Sequence, residues 1–447
     1  MNKRVYIETY GCQMNVYDTR AIVDTLARAG YARVARPEES DIILLNTCAV
    51  RDNAEQRVLG RIGELMRHKK GREGVLMGVV GCMAQRLGKA LHERRQAVDL
   101  VVGTDQYNRL PEMIEGVRRD GSPRFDVSAD GVTTYQASPE RDPLNNSHFI
   151  SITRGCDYKC TFCIVPSTRG PLRPKDPGTI LREVRAVVDR EGGVEVTLLG
   201  QNVTAYHHPV ADFPRLLGQV AETEGLRRVR FLTNHPRDLS ERTIEAIATH
   251  EGVSPWLHLP VQSGSNRVLR RMKRGYRIED YLALAERCRR DLPEVTFSTD
   301  IIVGFPGETE EDFEETLTIM REMRYDSAFT FKYSPRPGTP ASKLEDDVPE
   351  EMKNERLYRL NALQEALWEE KAKSLVGSRW EVAIEGEDVK GRGYLRGRTL
   401  NNRKVLVPAD GNLGRGDEIL VRVTGVQATT FFAENLGLLW KYDRVAA

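Results

Sequence analysis

Cys156, Cys160 and Cys163 stand in the segment ITRGCDYKCTFCIVP, spaced by three residues and then by two. Three thiolates so close in the chain can wrap one face of a metal centre, and soft sulfur ligands favour iron–sulfur clusters or zinc. A structural zinc site takes four ligands, and no fourth Cys lies close by. Three ligands on a four-iron cube leave one iron open, and a catalyst needs such an opening to bind its substrate. The blander readings are a structural zinc and three buried thiols. Against both stands the position of the triplet, directly after a strand expected at 149–153. Residues at that end of a barrel strand project into the active-site mouth.

That strand opens a long alternation. Further strands are expected at 194–199, 227–232, 256–261, 295–302 and 327–333, with helical patterns such as 179–189 and 279–290 between them. Six βα units suit an open, partial (βα)6 TIM-like barrel better than a complete eightfold one. A long polar helix follows over 349–375, with Leu357, Leu360, Leu363 and Leu367 on one side. Upstream, 5–9, 41–47 and 75–80 read as strands and 18–29 and 54–68 as helices, which implies a small parallel α/β domain. The last segment carries short alternating stretches between Gly and Asn turns, the pattern of a small antiparallel β-barrel. The fold class is therefore α/β with an all-β appendix. Its units are an N-terminal domain (1–119), a turn-rich linker (120–145), the barrel core (146–375) and the β-module (376–440).

Cys12, Cys48 and Cys82 fall near the ends of the three N-terminal strands, 36 and 34 residues apart. Strands of one parallel sheet end on a common edge, so these cysteines should converge in space. Gly11 and Gly81 precede two of them and let the backbone approach closely. A second three-thiolate centre follows; the alternative is three ordinary buried cysteines. Cys288, alone in the helical pattern YLALAERC, reads as packing.

Polar residues follow the other expected barrel strands: Gln201 and Asn202 after the second, Gln262 and Ser263 after the fourth, and Asp300 in the fifth. We expect these to bind cofactor or target, with Asp300 also a catalytic candidate; turn and cap roles are the alternative. The GFPGE loop lacks the Lys and spacing of a phosphate loop.

Both cysteine sets, with their contexts YGCQMN, LNTCAVRDNAEQ, GCMAQ, GCDYKCTFCIVPSTRG, LLGQNV, LHLPVQSGSNRVL and STDIIVGFPGET, resemble the methylthiotransferase family of the radical S-adenosylmethionine superfamily. The resemblance covers almost the whole chain. It implies two [4Fe-4S] clusters, an auxiliary one on Cys12, Cys48 and Cys82 and one on Cys156, Cys160 and Cys163 that binds S-adenosyl-L-methionine. One S-adenosylmethionine would methylate a sulfur at the first; a second would be cleaved at the other to a 5′-deoxyadenosyl radical. The stretches around Cys12, Cys48 and Cys82 look most like members that methylthiolate carbon 2 of N6-dimethylallyladenosine at position 37 of tRNA. Other members act on threonylcarbamoyl-adenosine or on a ribosomal-protein aspartate. A non-catalytic RNA-binding iron–sulfur protein and a radical methylase without the sulfur step are further alternatives. The implied partners are the tRNA anticodon stem-loop and an electron donor such as flavodoxin or ferredoxin, with the chain a monomer. Three stretches depart from the family pattern: Pro171-Leu172-Arg173-Pro174-Lys175 replaces a charged run, Asn234 stands where Ser is usual, and GQNVTAYHH lacks the common ending.

The net charge is only +1, so a nucleic-acid surface must be a local patch. Arg392, Arg396, Arg398, Arg403 and Lys404, with Tyr394 among them, supply one in the β-module. Cations bind phosphates and an aromatic ring stacks on a base; a solvated hairpin is the plain alternative. This module resembles the TRAM domain, a small RNA-binding barrel. There is no apolar leader at the start and no run long enough to span a membrane, so a cytoplasmic enzyme is expected.

Overall fold

The structure is a computed structural model that describes residues 3–49, 52–129, 131, 133–138, 147–191 and 195–442. The N-terminal sheet has six strands, all parallel, in the spatial order Ala32–Arg33, Arg4–Thr9, Ile42–Thr47, Leu76–Gly81, Leu100–Val102, Arg124–Asp126. Ile42–Thr47 and Leu76–Gly81 are buried at every position, which is why they read as unbroken apolar runs. Alternation sends Ile42 and Leu44 to one core and Ile43 and Leu45 to the other.

The stretch read as a linker is in part a strand. Arg124–Asp126 pairs with Leu100–Val102, and Phe125 packs on the core beneath. Three residues with one apolar anchor suffice at a sheet edge, and so short a signal is hidden among turn formers. Residues 130, 132 and 139–145 of that stretch lie outside the described residues.

Six parallel strands form the centre, in two groups of three. Arg228–Phe231, Glu195–Leu199 and Ser147–Ser151 make one; Trp256–His258, Thr296–Val303 and Ser327–Lys332 make the other. A bridge from Val229 to Val253 joins them. Among the described residues the first strand, Ser147–Ser151, does not pair with the last, Ser327–Lys332, so the wall is open there. The N-terminal domain packs beside that opening: Phe149 and Leu199 of the wall belong to the same core as Met14, Tyr17 and Tyr107. The helix Glu350–Ser374 lays Leu357, Leu360, Leu363 and Leu367 on the outer core, as its leucine spacing predicts.

The C-terminal strands Arg379–Glu387, Tyr394–Thr399, Lys404–Pro408, Thr430–Trp440 and Glu418–Gln427 close into a barrel. It is not wholly antiparallel, because Lys404–Pro408 pairs with Thr430–Trp440 in parallel. A closed ring with an odd number of strands cannot alternate direction throughout, so one parallel pair is unavoidable. This barrel docks on the N-terminal ends of the central strands. Arg228 donates to Glu418 at 2.9 Å, Arg230 to the carbonyls of Thr399 and Leu400 at 2.9 Å each, and Thr296 to that of Asn401 at 2.6 Å.

Candidate two-centre active site

Parallel register brings the N-terminal cysteines together. Thr9 lies opposite Asn46 and Thr47 opposite Gly81, so the strands leading to Cys12, Cys48 and Cys82 end level. Cys12 precedes the helix Gln13–Arg28, and Cys82 begins the helix Cys82–Leu87. Gly11 sits at φ +124, and a Cβ there would come 2.6 Å from Cβ of Cys48. Only glycine lets the two cysteine loops approach this far. Cys12 is exposed, whereas Cys48 and Cys82 are buried.

The barrel triplet is braced from several sides. The Cys156 N–H donates to the carbonyl of Gly170 at 3.1 Å, and the Gly155 N–H to Oε1 of Gln201 at 2.6 Å. The Tyr158 ring stacks on His235 with centroids 3.9 Å apart, and its hydroxyl donates to Asp238. Burial, with Arg274 and Arg237 nearby, pushes His235 down to about 2. Its imidazole is therefore neutral at any working pH and acts as a flat plate under Tyr158.

Each set of thiols faces one buried guanidinium. Arg274 donates through Nη1 to Sγ of Cys160 at 3.3 Å, and Arg169 through Nε to Sγ of Cys82 at 3.2 Å. Cationic donors aimed at sulfur fit thiolates, and so fit the donor set of an iron–sulfur cluster. Among the described residues no three Cys, His, Asp or Glu side chains gather tightly enough to hold a single metal ion. A four-iron cube spreads its ligands further apart than one ion does.

Cys163 of the barrel triplet and Gln13, the residue after Cys12, line one cavity of about 510 Å³ together with Gln262, Asp300, Phe329 and Phe331. Ile164, next to Cys163, packs against Cys82 and Ala49. Two lining residues, Thr233 and Gln262, hold φ near +70 without being glycine. Such backbone is costly, above all for a β-branched residue, and is found where a site demands it. Asp300 stands 3.5 Å from Nε2 of His258.

The sequence-derived candidates separate here. Gln262 and Asp300 line the cavity, while Gln201 braces the cysteine loop from behind. Asn202 and Ser263 are buried outside the lining. The Asn202 amide is taken up by Asp238 and Thr204, and the Ser263 hydroxyl faces Thr316 and the N–H of Ser265. The basic set of the β-module also divides. Arg398, Arg403 and Lys404 line a second cavity of about 440 Å³ at the junction with the barrel. Arg398 is tied to Glu385 at 2.8 Å, and Arg403 lies over the Trp380 ring. Arg392, held by Asp388, is exposed, and Tyr394 and Arg396 are half-buried. Residues 4–103 match a family model described as "Uncharacterized protein family UPF0004", and 150–320 match the Radical SAM superfamily. The tRNA-2-methylthio-N(6)-dimethylallyladenosine synthase of Frankia casuarinae is 44% identical over 418 residues, spanning 92% of this chain and 77% of that one.

This chain belongs to that synthase family.

The synthase of Phocaeicola vulgatus is 46% identical over 443 residues, 97% of this chain and 96% of that one, and that of Moorella thermoacetica is 43% identical over 430. The first matched segment holds Cys12, Cys48 and Cys82, and the second holds Cys156, Cys160 and Cys163 together with the buried Cys288. The fold is shared with the radical S-adenosylmethionine methyltransferase TsrM of Kitasatospora setae, solved with cobalamin and a [4Fe-4S] cluster. That likeness has a TM-score of 0.60 at 14% identity over 76% of this chain and 77% of that one. Like its relatives the chain is a radical S-adenosylmethionine enzyme. Among the described residues no helix is long and apolar enough to cross a membrane.

Sequence reasoning missed Arg169, Arg274, Tyr158 and the aromatic pair Phe329 and Phe331. The alternation Phe329-x-Phe331-x-Tyr333 at the end of a barrel strand is the one local signal that marks a cavity wall.

Proposed function

We propose that the protein methylthiolates carbon 2 of N6-dimethylallyladenosine at position 37 of tRNA. The observation that carries this reading is a cavity lined both by Cys163 of the barrel triplet and by Gln13, the residue after Cys12. A cluster on Cys156, Cys160 and Cys163 would supply reductive cleavage of S-adenosylmethionine, and one on Cys12, Cys48 and Cys82 the sulfur. The chain's own residues do the rest. Gln201, Tyr158 and His235 fix the cysteine loop, and the backbone at Gln262 and Thr233 shapes the floor. Phe329 and Phe331 offer an apolar wall to a prenyl substituent. They are 50% and 36% exposed, unusual for phenylalanines on a barrel strand, and a bound apolar group would cover them. Asp300 presents an acceptor to the polar edge of the base.

Residues 1–119, 146–375 and 376–440 act as auxiliary-centre, radical and RNA-binding units in this reading, the first extended by the strand Arg124–Asp126. The β-module works as a TRAM domain. Arg392, Tyr394 and Arg396 meet the anticodon stem-loop from outside, while Arg398, Arg403 and Lys404 act at the junction. The enzyme works in the cytoplasm as a monomer, with a flavodoxin- or ferredoxin-type donor.

The test is an anaerobic reaction of reconstituted, reduced enzyme with hypomodified tRNA, read by mass spectrometry of its nucleosides. The dimethylallylated nucleoside should gain a methylthio group. Methylthiolation only of threonylcarbamoyl-adenosine would overturn the assignment. For the aromatic wall, Phe329→Ala with Phe331→Ala should raise KM for prenylated tRNA by about tenfold or more. Release of 5′-deoxyadenosine in the absence of tRNA should stay at the parent level.

A further inference from the structure

Arg169 belongs to the barrel by sequence and to the N-terminal domain by contact. It ends the helix Val165–Arg169, six residues after Cys163, and is 3% exposed. Besides the bond to Cys82, its Nη2 donates to Oδ1 of Asn15 at 3.0 Å and lies 2.8 Å from Oδ2 of Asp18. Nη1 is buried and has no hydrogen-bond partner among the described residues.

The surrounding interface is buried and charged. Arg154 of the barrel reaches Asp18 at 3.0 Å and Asp105 at 3.4 Å, and Arg173 holds Asp105 at 2.9 Å. Arg154, Arg169 and Arg173 thus gather around the carboxylates of Asp18 and Asp105. A buried cation left without a counter-charge is expensive. The group that Arg169 faces beyond Asp18 is the sulfur of Cys82. A four-iron cube in its resting state, held by three thiolates, carries a net charge of −1 and would give Arg169 a second counter-charge beside Asp18.

We propose that Arg169 is the counter-ion and sulfur hydrogen-bond donor of the N-terminal centre, so that a residue of the radical domain sets the potential of the centre in the other domain. The inference rests on the reading that Cys12, Cys48 and Cys82 hold a cluster. Donors to ligand sulfur stabilise the reduced, more negative state and raise the potential. Arg169 is a positioning residue in this role. The parallel contact of Arg274 with Cys160 stays within one domain and serves as an internal comparison.

The experiment uses full-length chain reconstituted anaerobically, with Arg169→Met and Arg169→Lys made both in the parent and in a background whose Cys156, Cys160 and Cys163 are alanine. Iron content and electron paramagnetic resonance during a redox titration are read for each. Arg169→Met should lower the reduced-to-oxidised ratio of the N-terminal centre at fixed potential about tenfold, equivalent to about 59 mV for one electron. Arg169→Lys should recover part of this, and the barrel centre should not move. Selective loss of the N-terminal iron in Arg169→Met, with the barrel centre intact, would support the same role. An unchanged N-terminal potential in a fully loaded Arg169→Met protein overturns the inference. A parent protein holding one cluster overturns instead the two-centre reading beneath it.

Discussion

Replacement of Cys12, Cys48 and Cys82 together by alanine should remove about four irons per chain and abolish the methylthiolated nucleoside, while 5′-deoxyadenosine is still released on reduction. The separation follows from geometry. The three residues follow N-terminal strands, whereas Gly170, Gln201, His235 and Arg274, which brace the loop of Cys156, Cys160 and Cys163, all come from the barrel. Cys48 and Cys82 are small and buried, so alanine costs little volume there, and Cys12 is exposed. Iron analysis, ultraviolet–visible spectra and liquid chromatography of the cleavage product measure the three effects on one sample. A variant that still makes the methylthiolated nucleoside would leave only a radical methylase with an ornamental N-terminal domain.

The second large effect is on stability. Arg154 is buried between Asp18 and Asp105 and also donates to the carbonyl of Thr104. Removing it breaks two buried ion pairs at once, leaving Asp18 to Arg169 and Asp105 to Arg173. Arg154→Ala should therefore cost about 3–5 kcal/mol, read as a lower denaturant midpoint and faster amide exchange at the interface. The pH dependence has a definite sign. Burial alone would push the Asp18 carboxyl up, but Arg169 and Arg154 outweigh it and hold it below the ordinary carboxylate value. A group with a depressed folded pKa contributes stability above its unfolded pKa and loses that contribution as pH falls through the folded one. The gap between variant and parent should thus be constant near neutrality and narrow only in acid, below about pH 4. A gap that widens in acid would show that Asp18 is not the partner that matters.

What could be read from the sequence was local or periodic. Six cysteines are marked by spacing and by strand ends, and the six barrel strands by their apolar runs; the leucines of Glu350–Ser374 announce their own face. The ion network was invisible because Asp18 and Arg154 are 136 residues apart and only the docked domains bring them together. The unfamiliar Pro171–Lys175 stretch turns out to bury Arg173 and Lys175 in and beside that network, Lys175 on Glu183 at 2.9 Å. The basic cluster at 392–404 could not be divided without tertiary contacts, since docking, not alternation, decides which cations face the junction. Amides such as Asn202 look alike in sequence whether they greet a ligand or close an internal bond. Short strands such as Leu100–Val102 and Arg124–Asp126 carry too few residues to announce themselves.

Among the described residues the first and last barrel strands do not pair, so the wall carries a slit on that flank, beside the N-terminal domain. A sealed ring takes only what fits through its rim, and a nucleotide joined to neighbours on both sides would have to bend double to do so. A slit lets one unit of a polymer swing inward while its flanking phosphates stay in solvent, so the opening suits a modification made on an intact strand rather than on a free nucleoside.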